Sequence, residues 1–284
     1  VLFRSCAFTF MEIYAYTWSE APFIFGLLWL CVSLYKYLVR HDISKFWLFS
    51  IFFSCAFLFL CRYVGLFSFG IVGFIGIYFL FKRQYKVSLQ LFSICFVLVL
   101  LTSLYLYNNY FNTGYLTGMM RIYPNESNFV IIKWLIKAHI NEFFIIRNYY
   151  FQRLDIIFFI TAVIQIILIM FIFINIIKSE HPIQFIKLNK DDYLSITCLL
   201  VGFCYWFILI IIIWKMPDKL DYRLFAPSTF LFLLAILSYL LNEQRKLLYS
   251  KISKYIVLLF IISLLHSLPK MYIYQSIMEI FPIW

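Results

Sequence analysis

Long apolar runs separated by short polar breaks set the pattern of this chain. A helix rises about 1.5 Å per residue, so about 20 apolar residues cross a bilayer core of about 30 Å. Such runs predict passes at about 19–38, 45–61, 64–81, 87–107, 154–177, 193–214, 224–242 and 255–269. The expected fold is all-α: a polytopic transmembrane helical bundle of about eight passes. It forms a single transmembrane domain over residues 1–284. Residues 1–16 read as the end of an earlier helix. With valine as first residue, this gives the expectation that the chain is a fragment lacking earlier passes.

One charged residue tests the pattern. In "FLFLCRYVGLFSFG", residues 57–70, Arg62 interrupts a strongly apolar run. A guanidinium at the bilayer centre costs roughly 2.5–3.5 kcal/mol on insertion scales. Residues 45–81 as one helix would be about 55 Å long, too long to cross once with ordinary tilt. Two passes joined at Arg62-Tyr63 instead place the arginine in a tight turn at a membrane surface.

The polar breaks also carry an orientation signal. "YKYLVRHDISK" holds Lys36, Arg40 and Lys45, and "FKRQYK" holds Lys82, Arg83 and Lys86. The loop at 178–192 holds Lys178, Lys187 and Lys190, and "NEQRKLLYSKISK" holds Arg245, Lys246, Lys251 and Lys254. These breaks alternate with the passes and share one face, which the positive-inside rule makes cytoplasmic. The other face receives the Arg62 turn, an external loop at 108–152, "KMPDKLDYR" and the C-terminal tail. Topology thereby gathers Glu20, Arg62, Arg121, Asp221 and Arg223 at outer helix ends or in outer loops, as candidates for one external site.

Within the external loop, "NFVIIKWLIKAHINEFFIIRNYYF" (residues 128–151) is apolar but broken by charges. Lys133, Lys137, Asn141 and Asn148 fall in one helical arc, while His139 and Glu142 break the pattern. An amphipathic helix on the outer membrane surface is expected, as a lid over a lipid-facing site or as scaffold. Gly70, Gly73 and Gly76 predict a flat face for close helix packing within one pass. "NES" at 125–127 matches a glycosylation sequon, a pattern common by chance.

Composition agrees with the pattern. The chain is 64% hydrophobic and only 13% charged, where soluble domains are nearer a quarter charged. The net charge of +11 would suggest nucleic acid in a soluble protein. Here most of the basic residues lie in short breaks, so the charge is a topology signal and no nucleic-acid partner is expected. Of seven cysteines, six sit in apolar runs or at their ends and none forms a C-x-x-C pair, so they read as small buried hydrophobes. His41, His139, His181 and His266 lack metal-ligand spacing. There is no P-loop, G-x-G-x-x-G, H-E-x-x-H or G-x-S-x-G, and no repeat at transporter scale.

Four stretches combine into a resemblance. "YTWSEAPFIFGLLWL" places a Ser-Glu pair at the start of a pass, "CRYVGL" is the arginine turn, and "NNYFNTGYLTGMMR" follows, with "DYRLFAPSTFLFLL" much later. This order, over about residues 10–240, resembles the GT-C superfamily of bacterial membrane glycosyltransferases, including protein mannosyltransferases and aminoarabinose transferases. The resemblance implies an inverting transferase in the plasma (inner) membrane with an extracytoplasmic site. It would move a sugar from a polyprenyl-phosphate donor to a lipid or glycan acceptor. It further implies phosphate binding by Arg62, Arg223 and Arg121, supported by Glu20 and Asp221. Asn109 and Thr113, with Gly114, Thr117 and Gly118, would form the loop over the site. The family's general-base Asp is expected before residue 1, so the catalytic residue is not named; a divalent metal is left open as a cofactor. Two departures stand out. Asn108 replaces the family's arginine before Asn-Tyr, and Arg121 comes one residue late. Two other classes use similar surfaces: an envelope polysaccharide polymerase or ligase, and a transporter of lipid-linked sugars. A transporter more often carries ionisable groups near mid-membrane, whereas here they fall at helix ends.

Overall fold

A computed structural model describes residues 20–40, 45–118, 126–143, 156–178, 192–212, 222–241 and 246–267. The expectations for residues 1–16, Arg121, Asn148, Lys187, Lys190, Asp221 and Arg245 lie outside the described residues, as does Asn125 of the sequon. Among the described residues there is no strand, and nine α-helices follow one another. They are α1 (Glu20–Arg40), α2 (Lys45–Cys61), α3 (Phe67–Phe81), α4 (Tyr85–Thr113), α5 (Asn128–Phe143), α6 (Ile156–Ile177), α7 (Tyr193–Ile212), α8 (Tyr222–Leu240) and α9 (Lys246–Ser267). A 3₁₀ turn, Tyr63–Leu66, joins α2 to α3.

Among the described residues, four stretches are long and apolar enough to cross a membrane: Glu20–Val39, Tyr63–Phe81, Tyr85–Thr113 and Tyr193–Ile212. Three more, Lys45–Cys61, Ile160–Asn175 and Leu224–Leu240, are apolar but shorter. The chain is a helical membrane protein, and its described residues contain four candidate spanning helices, which leaves the predicted eight passes unconfirmed.

The helices pack as antiparallel neighbours. Trp29 Nε1 on α1 donates to Ser50 Oγ on α2 at 2.8 Å, and Ser33 Oγ meets the same hydroxyl at 2.7 Å. Hydroxyl contacts of this kind join helices where lipid removes the hydrophobic drive for association. Ser88 Oγ and Cys95 Sγ of α4 donate to the carbonyls of Gly76 and Phe69 on α3. Ser195 of α7 donates to the Ala235 carbonyl of α8, and further along the pair Tyr205 Oη donates to the Leu224 carbonyl at 2.9 Å. The main core runs through α1, α2, α3, α4, α5, α7 and α8, with Phe23, Leu27, Leu58, Tyr205 and Phe225 among its buried side chains. Leu240, Ile252 and Ile172 bring the end of α8, the start of α9 and the end of α6 together.

This alternation gives the bundle two ends. One holds the turn with Lys82 and Arg83, the start of α4 with Lys86, and the start of α9 with Lys251 and Lys254. Arg83 closes the α3–α4 turn at φ 58°, in the left-handed region. The other end holds the start of α1, the Arg62 turn, the end of α4 and the start of α8.

The predicted glycine face is corrected. A Cβ at Gly70 would meet nothing within 4 Å, and one at Gly73 only Cys95 Sγ at 3.8 Å. Only Gly76 is tight, against Phe92 at 3.3 Å. Close approach occurs instead at Gly26 against Leu58 and Phe57, and at Gly202 against Phe232, all at 2.9 Å. Spacing on one helix does not say where its partner lies: α4 runs along α3 from Phe69 to Gly76, yet of the three glycines only Gly76 faces it closely.

Candidate functional site at the Arg62 end

The site begins where α2 stops. Arg62 has an extended backbone (φ −157°, ψ 137°). Its amide still donates to the Leu58 carbonyl at 3.1 Å, and its carbonyl already accepts from the Gly65 amide at 2.8 Å. One residue therefore ends an α-helix and opens the 3₁₀ turn. Gly65 makes this possible: a Cβ there would lie 2.3 Å from the Leu58 carbonyl oxygen. Ser68 Oγ then donates to the Gly65 carbonyl at 2.8 Å. The predicted separation of 45–81 into two helices at Arg62-Tyr63 is present.

From this turn the Arg62 Nη1 donates to Glu20 Oε1 at 2.7 Å. The two side chains are 23% and 11% exposed, so the pair is largely shielded yet open on one side. Glu20 occupies the first turn of α1, where the helix dipole favours a carboxylate. Charge-assisted contacts of this length are among the stronger hydrogen bonds. The guanidinium has five donors in a planar fork, and Glu20 Oε1 takes one of them.

Tyr205 ties this pair to α8. It is fully buried, with its ring 5.4 Å from Phe23 and 5.5 Å from Phe67. It lies within electrostatic reach of both Arg62 and Glu20. Its hydroxyl holds the Leu224 carbonyl at 2.9 Å. Arg223 precedes Leu224 in the first turn of α8, so its backbone is anchored to Tyr205 at the same end of the bundle as the pair; its side chain lies outside the described residues. Sequence reasoning missed Tyr205, one tyrosine in the apolar run "GFCYWFILIII". Its only signal was a hydroxyl needing a partner in a pass.

The α4 end covers the other flank. Tyr63 Oη donates to the Thr117 carbonyl at 3.4 Å, and Asn109 Nδ2 reaches Tyr63 Oη at 3.5 Å and the Leu116 carbonyl at 3.4 Å. Thr113 Oγ1 donates to the Asn109 carbonyl at 2.8 Å and accepts from the Tyr115 amide at 3.2 Å. Gly114 (φ 74°) and Gly118 (φ 79°) turn the chain in the left-handed region, which glycine reaches without a Cβ penalty. Asn109 and Thr113 are thus engaged with the turn after α4, which lies next to the Arg62 turn through Tyr63.

A second polar cluster involves α5. Ile131, Ala138 and Glu142 are buried and Leu135 packs on the core, a stripe at i, i+4, i+7, i+11 facing α8. His139 and Glu142, which broke the sequence pattern, make its polar contacts. Trp206 Nε1 donates to His139 Nε2 at 2.9 Å, while His139 Nδ1 meets the Leu135 carbonyl at 2.7 Å. This assigns the ring as neutral, protonated at Nδ1. Phe225 packs on the same ring at 4.3 Å, and Thr229 Oγ1 donates to Glu142 Oε1.

Of the predicted site residues, Glu20 and Arg62 are in contact, Asn109 and Thr113 lie on the last turn of α4 and bond to the turn that follows it rather than forming a loop, and Arg223 is placed by its backbone. Arg121 and Asp221 lie outside the described residues. For a divalent ion, the described residues contain no group of three or more His, Cys, Asp or Glu side chains arranged to hold one. No family model, curated protein or solved structure matches this chain.

Proposed function

We propose that this chain is the membrane part of a glycosyltransferase of about eight passes. It would lie in the plasma membrane and act on a polyprenyl-phosphate sugar at the extracytoplasmic face. The observation that carries this reading is the Arg62–Glu20 contact at one end of the bundle, opposite the basic turns. A lipid-borne phosphate sits at the membrane surface, level with helix ends. A guanidinium there binds phosphate oxygens and keeps its charge at every working pH. As the acceptor oxygen bonds to the anomeric carbon, the bond from that carbon to the donor phosphate oxygen breaks, and the acceptor hydroxyl gives its proton to the general-base carboxylate that the resemblance implies. The electron pair leaves with the phosphate, and Arg62 faces the charge that builds up. Arg223 and Arg121 are the further cations of this site. Glu20 orients Arg62, Asp221 does the same for Arg223, and Asn109 and Thr113 shape the covering loop.

The test is transfer by membranes carrying the full-length protein, supplied with a labelled polyprenyl-phosphate sugar. Arg62→Ala is expected to lower the rate by about a hundredfold, the usual loss when one donor to developing charge is removed. Arg62→Lys should recover part of it, since it keeps the charge without the fork. Unchanged transfer by Arg62→Ala removes Arg62 from the site.

A further inference from the structure

We infer that α5 is a docking helix for the headgroup layer of an anionic bilayer, held to the bundle by one stripe and to lipid by another. At 16 residues it is about 24 Å long at about 1.5 Å per residue, short of the bilayer core. Its inner stripe is fixed against the first turns of α8 and against Trp206 of α7. It therefore sits where the spanning helices leave the core. Its other apolar stripe, Phe129, Ile132, Ile136 and Ile140, is 76%, 44%, 54% and 38% exposed. These positions follow i, i+3, i+7, i+11 and so share one side of the helix.

Two observations identify the occupant as lipid. Nearby on α7, Phe203, Phe207 and Ile211 are each more than half exposed within a span apolar enough to cross the membrane, so the stripe borders a lipid-facing surface. Lys133 and Lys137 are exposed along the stripe's flank, while the helix's one carboxylate, Glu142, is turned inward. An apolar stripe edged by lysines, with the acid hidden, fits acyl chains beside phosphate headgroups.

The experiment uses the full chain in nanodiscs of phosphatidylcholine, with and without phosphatidylglycerol. Nitroxides are placed at Ile132→Cys, Ile136→Cys and, as a third independent site, Phe129→Cys. Signal from the chain's own cysteines is measured on the wild-type protein in parallel. Collision with oxygen is compared with collision with a water-soluble nickel chelate. All three labels are expected to favour oxygen. Phosphatidylglycerol should raise that preference, and Lys133→Gln with Lys137→Gln should abolish the rise. Labels open to the nickel chelate would overturn the lipid contact. Labels shielded from both colliders would replace lipid with protein, either a second copy or another segment. Equal depth with and without phosphatidylglycerol would overturn the anionic preference. None of these outcomes depends on sugar transfer.

Discussion

Arg62 and Glu20 hold each other through one charge-assisted bond in a largely shielded place. Removing one partner leaves the other ion short of a contact it cannot fully replace from water, a loss of about 1.5–3 kcal/mol for a hydrogen bond to a charged group. Glu20→Gln should therefore lower unfolding free energy in detergent by about that amount. Adding Arg62→Gln should cost less than the sum of the two single changes, because the pair is already broken. Strict additivity would show that the contact contributes nothing. Gly65 makes a sharper case at the same scale. A methyl group there runs into the Leu58 carbonyl, which is backbone and cannot rotate away. Gly65→Ala should cost about 1–3 kcal/mol or more and displace Arg62, lowering transfer with it. Gly70→Ala is the control: nothing lies within 4 Å, and its midpoint should stay near wild type. Equal effects of the two would mean the turn does not depend on the missing Cβ.

At the scale of helices, sequence carried the break at Arg62 because charge and length both demanded it. It carried α5 because its lysines and isoleucines keep helical spacing. It did not carry what each face touches. His139 and Glu142 looked like faults in the pattern of α5, yet they reach Trp206 and Thr229. Those contacts join residues 67 and 87 positions apart, and no local pattern encodes them. The glycines repeat the lesson. Gly70 and Gly73 stand out by spacing, whereas Gly202 stands alone in its helix and meets the Phe232 ring. Gly202→Leu should push α7 from α8 and loosen the Tyr205 anchor on Leu224. The expected result is a loss of about 1–3 kcal/mol, read as a lower unfolding midpoint in detergent. A midpoint equal to wild type would mean that the α7–α8 contact tolerates added bulk.

The whole molecule has two ends that differ in chemistry. Antiparallel packing places Lys82, Arg83, Lys86, Lys251 and Lys254 on turns or helix starts away from the Arg62–Glu20 pair. Positive side chains flanking short breaks are retained in the cytoplasm during insertion, so the Arg62 end should face outward. This is open to direct measurement. Lys82→Cys and Leu116→Cys alter exposed positions at opposite ends of the bundle, and Lys178→Cys adds an exposed site after a different helix. On intact cells, a membrane-impermeant maleimide should modify Leu116→Cys above the wild-type background. Lys82→Cys and Lys178→Cys should react only after the membrane is opened. If Lys82→Cys and Leu116→Cys react together from outside, the two ends do not straddle the bilayer. Arg62 would then lose its place at a surface opposite the basic turns. If Lys178→Cys alone changes sides, the α3–α4 turn keeps its orientation and only the insertion of α6 is revised. Because Tyr205 ties α8 to the Arg62 pair independently of α6, the site would survive that second result and fail on the first.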